Sequence, residues 1–97
     1  MNDQETVLRA MLRAYEEAAL GATIAYFQCD DRDVAALHWA NQRRDELDDA
    51  TIAIRGELGN FVAGDHGRFD WPQYLHADYE ARLRGDRPID APPEIWP

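Results

Sequence analysis

Between residues 3 and 28 apolar side chains return every three or four positions. Leu8, Met11, Leu12, Tyr15, Ala18, Ala19, Ala22, Tyr26 and Cys29 share one side, opposite Arg9, Arg13, Glu16 and Glu17. This is the period of a helix with one buried stripe, and it predicts an amphipathic helix from about Asp3 to Gln28. After Ala19 the pattern changes. In AALGATIAYF, residues 18–27, Leu20, Ile24 and Phe27 take the side that had been charged, so the second half of the helix is apolar on two faces. One face is satisfied by a neighbouring helix; the other needs further cover from the chain or from another molecule.

The acids of CDDRD, residues 29–33, interrupt the periodicity and are placed to cap a following helix and to meet its N-terminal dipole. A second helix is expected from Asp33 to about Phe61 or Ala63, with Ala36, Ala40, Leu47, Ala50, Ile54, Leu58 and Phe61 as its seam and Arg43 lying within it. Gly56 and Gly59 weaken its last turns, where a break or fraying is expected. GNFVAGDHGRFD, residues 59–70, reads as a loop. Asp70, Trp71 and Pro72 then open a shorter helix that Gly85 ends, with Trp71, Tyr74, Leu75, Tyr79 and Leu83 on its apolar side. The final DRPIDAPPEIWP holds four prolines and is expected to be extended.

These elements predict an all-α fold: an antiparallel two-helix hairpin, a shorter third helix packed on it, and an extended Pro-rich C-terminal tail. Residues 1–85 form one helical domain and residues 86–97 the tail. Folding about residues 30 and 31 sets Glu17 opposite Arg44, Glu16 near Arg43, and Arg13 near Asp48 and Asp49. Exposed pairs of this kind contribute about 0.3 to 1 kcal/mol each, so they select register more than they hold the hairpin together.

Charge narrows the functional classes. The chain has 97 residues, 19 acids against 10 basic residues, and a net charge of −9. Such a surface disfavours direct binding to nucleic acid or to anionic membrane and favours a cationic partner. Every basic residue is Arg, a bias that fits a GC-rich genome. The one cysteine, Cys29, allows no intrachain disulfide, and no stretch approaches the ~20 apolar residues of a membrane span, so a soluble cytoplasmic protein is expected.

Catalytic apparatus is sparse. The chain has no serine, and Asp30 and Asp31 beside Cys29 disfavour a thiolate. His38, His66 and His76 stand in no recognised metal-binding pattern, and neither metal nor cofactor is expected. Glu46 and Asp49 lie three apart, as do Glu57 and Asn60. In this respect DELDDATIAIRGELGNFV, residues 45–62, resembles the E-x-x-E and E-x-x-D motifs of the all-α nucleotide pyrophosphohydrolases of the MazG type. The resemblance implies magnesium-dependent hydrolysis of a nucleotide through Glu46, Asp49 and Glu57. Here both pairs fall on one expected helix, and Asn60 stands where the family has an acid.

The preferred reading is a small acidic protein-binding module, dimeric, that inhibits or adapts a partner by occupying its basic, nucleic-acid-binding surface. The acids assigned to this task are Asp30, Asp31, Asp33, Asp45, Glu46, Asp48 and Asp49. Leu20, Ile24, Phe27, Trp39 and Trp96 are the apolar contacts to a partner or a second copy. The alternatives are the magnesium-dependent hydrolase and a structural subunit of a larger assembly.

Overall fold

The computed structural model describes residues 1–64 and 71–94. Expectations for Asp65, His66, Asp70, Ile95 and Trp96 lie outside the described residues. Three helices form: α1 (Gln4–Gln28), α2 (Val34–Val62) and α3 (Gln73–Arg84). The first two are long and pack antiparallel as a hairpin, and α3 packs on α1. The fold is all-α, as the periodicity predicts.

Local chemistry sets the boundaries. The Asp3 carboxylate accepts from the Thr6 backbone N–H at 3.3 Å, and Asp33 accepts from the Ala36 N–H at 3.1 Å, so each long helix has an acid satisfying one of its otherwise unpaired first-turn donors. Gly85 ends α3 at φ 88°. An L-residue is disfavoured in that left-handed conformation by about 1 to 2 kcal/mol, and Gly85→Ala is expected to cost about that much in urea unfolding. Gly59→Ala should have the opposite sign, a gain of up to about 1 kcal/mol, because Gly59 is helical and an added Cβ would meet open space.

The expected break at Gly56 and Gly59 does not occur, since α2 continues to Val62. Packing overrides the glycines: Ile54 is fully buried, and Leu58 and Phe61 lie against the core. Trp71, just before α3, is buried as well, and its indole N–H donates to the Ala53 carbonyl at 3.2 Å. Its ring meets Tyr79 edge-on with centroids 5.6 Å apart. This residue pins the start of α3 to the middle of α2.

Val7, Leu8, Met11, Tyr15, Ala19 and Ala22 of α1 meet Leu47, Ala50 and Ile54 of α2 and Leu75 and Tyr79 of α3 in one core. The charge pairs expected across the hairpin are replaced. Glu16 reaches Arg55 at 3.2 Å instead of Arg43. Arg44 does not meet Glu17; its guanidinium stands 4.3 Å from the Tyr26 ring centroid and donates to Asn41 at 2.9 Å. No ion pair joins Arg13 to Asp48 or Asp49 among the described residues. Long side chains bridge several ångströms along a helix, so matching signs alone left the register open.

After Gly85 the tail folds back on the body. The Arg82 Nη1 donates to the Ile89 carbonyl at 2.8 Å, Arg87 donates to the Pro92 carbonyl, and Pro93 is buried. At the opposite end of the sequence, the Asn2 backbone N–H donates to the Leu83 carbonyl at 2.8 Å. No helix among the described residues is long and apolar enough to cross a membrane.

Candidate protein-interaction site

A helix turns about 100° per residue, which puts Leu20, Ile24 and Phe27 on the side of α1 opposite Ala19 and Ala22. Because α2 takes the inner side and α3 is held near Tyr15, nothing among the described residues covers the outer one. Leu20, Ile24 and Phe27 are 62%, 47% and 74% exposed. Cover from α3, the simplest account of the second apolar face, is thereby ruled out. Phe27 meets the ring of its neighbour Tyr26 in a T-shaped arrangement, with centroids 5.3 Å apart.

Trp39 does not share that row. It lines a groove of about 600 Å³ between α1 and α2, facing Ala18, Gly21 and Ala25, with Pro92 and Pro93 of the tail along one wall. Trp39 is 57% exposed. The apolar residues assigned from sequence thus divide into an outer row and a lateral groove. Trp96 lies outside the described residues.

The acids divide too. Asp30 accepts from the Arg32 backbone N–H at 3.0 Å, and Asp33 caps α2, so both shape the turn; Asp31 is exposed. Twelve or more residues further on, about 18 Å or more along the helix, Asp45, Asp48 and Asp49 are exposed on α2. None of these three makes an ion pair among the described residues. Glu46 is half-buried and accepts from Gln42 at 3.2 Å. Burial first, and then the charges of Glu46 and Asp49, raise the Tyr74 hydroxyl above its ordinary value.

Glu46, Asp49 and Glu57 do not come together as a ligand set. Glu57 is eleven residues beyond Glu46, about 16 Å along one continuous helix. Among the described residues no three His, Cys, Asp or Glu side chains gather as a metal site would require.

Sequence reasoning missed the most organised polar cluster. Arg82 is completely buried, and its Nε and Nη2 donate to the two oxygens of Asp78 at 2.9 and 3.1 Å. Asp78 also accepts from the Tyr15 hydroxyl at 2.7 Å and from Arg87. Burial alone would raise the Asp78 carboxyl, but the hydrogen bonds from Arg82, Tyr15 and Arg87 outweigh it and hold the group below its ordinary value. Tyr15 is pushed far upward, first by burial and then by its hydrogen bond to the carboxylate. The available signal was Arg82 at helical spacing from Leu75 and Tyr79, a charge on an apolar face one turn from an acid. This cluster ties α1, α3 and the tail together.

The molecule is therefore a three-helix protein whose accessible features are an apolar row, a lateral groove and an acidic outer face. No protein-family model, curated protein or solved structure matches the chain.

Proposed function

We propose that this chain is a small acidic protein-binding module that inhibits a partner by occupying its basic, nucleic-acid-binding surface. The observation that supports this reading is the outer acidic face of α2, where Asp45, Asp48 and Asp49 are exposed without ion pairs among the described residues. A helix held by a packed seam presents these charges in fixed positions, so little conformational entropy is lost when arginines or lysines engage them. Much of the affinity then comes from charge, and it weakens as salt is raised.

The test uses the full chain immobilised against an extract of its source organism, followed by titration of the purified complex. A partner that duplex DNA displaces, that dissociates at least tenfold more readily between 0.1 and 0.5 M salt, and that the Asp45→Asn/Asp48→Asn/Asp49→Asn variant fails to hold is the expected result. A partner that the triple variant retains at full affinity, insensitive to salt and to DNA, would overturn the reading.

A further inference from the structure

We propose that the outer row of α1 docks a second copy of this chain, with the two α1 helices antiparallel. The row has a direction. Arg13 stands on the same line one turn and more before Leu20, Ile24 and Phe27, and the acidic turn with Asp30 and Asp31 follows them. Arg13 is exposed and makes no ion pair among the described residues, and Asp31 is likewise exposed and unpaired. On this side of α1 Arg13 comes first, then Glu16, which pairs with Arg55, and the exposed Glu17, then the apolar row, and last the acidic turn.

An antiparallel pairing about a two-fold axis near residue 22 brings the Arg13 end of each row to the acidic turn of the other. Leu20 of one copy meets Ile24 of the other, and Phe27 closes each end of the apolar strip. Arg13 lies nine residues before the axis, about 13 Å along the helix, and α1 ends at Gln28, six residues past the axis, so each Arg13 comes beside the acidic turn of the other copy, which holds Asp31. Parallel packing would instead stack two acidic turns on one another, in a chain already carrying a net charge of −9. The arrangement is isologous, the self-complementary contact of a two-fold dimer. It accounts for a helix that is apolar on two faces: one serves the hairpin and the other serves the second copy.

This inference does not rest on the acidic face of α2, and its failure would leave that reading standing. The test is sedimentation equilibrium of the full chain at 1 to 100 μM, about the range in which modest interfaces of this kind associate. The 11.1 kDa chain is expected to sediment as a two-copy species, and Ile24→Glu to sediment as a monomer with unchanged helical circular dichroism. Arg13→Asp and Asp31→Arg should each weaken association at least tenfold, and Arg13→Asp/Asp31→Arg should restore it to within about threefold of the original. Asp31 is the residue to reverse because Asp30 and Asp33 shape the turn and the cap. A monomer at the highest concentration, a dimer that survives Ile24→Glu, or a double variant no tighter than its parents would each overturn the proposal.

Discussion

Asp78→Ala is expected to lower the free energy of unfolding by about 3 to 5 kcal/mol, a large part of the 5 to 15 typical of a domain this size. The variant leaves the Arg82 guanidinium fully buried without its carboxylate, and removes the acceptor of the Tyr15 hydroxyl and of Arg87. Breaking a buried pair from one side is far costlier than removing both charges. Asp78→Ala/Arg82→Met should therefore be less destabilised than Asp78→Ala, as read by urea midpoints at pH 7. The reverse order would mean that the arginine escapes to solvent in the single variant. Acid should reproduce part of the effect. Because the folded chain holds the Asp78 carboxyl below its ordinary value of 3.8, the stabilisation is complete above that value and is lost as pH falls through the lower folded one. The acid-induced loss of stability below about pH 4 should be shallower in Asp78→Asn than in the parent chain.

The second large effect is expected at Ile54→Ala, a loss of about 2 to 5 kcal/mol from the vacated volume. Ile54 is fully buried, one residue after Ala53, whose carbonyl takes the Trp71 indole, and two before Gly56. It anchors the part of α2 that two glycines make intrinsically weak. Amides from Arg55 to Val62 should accordingly exchange faster by more than the global loss of stability explains. A uniform change along α2, or a loss under about 1 kcal/mol, would show that the last turns are held by something else.

Much of the fold was legible in the residues, because helical periods and end signals are local. Asp3, Asp33 and Gly85 mark ends within a residue or two of those observed. Gly56 and Gly59 misled because tertiary packing overrides propensity when Ile54, Leu58 and Phe61 are all drawn into the core. The partners of Glu16 and Arg44 were not legible, since guanidinium reach and an aromatic ring compete with nearest opposite charge. Of the candidate site, the exposure of Leu20, Ile24 and Phe27 follows from where α3 docks, which the break in amphipathicity hints at without deciding. Arg82 was missed for a related reason: a buried charge becomes tolerable only through Asp78, Ile89 and Tyr15, and the last lies 67 positions away in sequence.

The hydrogen bond from Asn2 to Leu83 has a consequence for biosynthesis. It closes the chain across some 80 residues, and the core that Leu75 and Tyr79 complete stays open on that side until the third helix has been made. At roughly 5 to 20 residues per second, a nascent hairpin stands open for on the order of seconds before that helix emerges from the ribosome. Neighbouring ribosomes on one message would hold several such hairpins close together, and exchange of the third helix between them is the misassembly this topology invites.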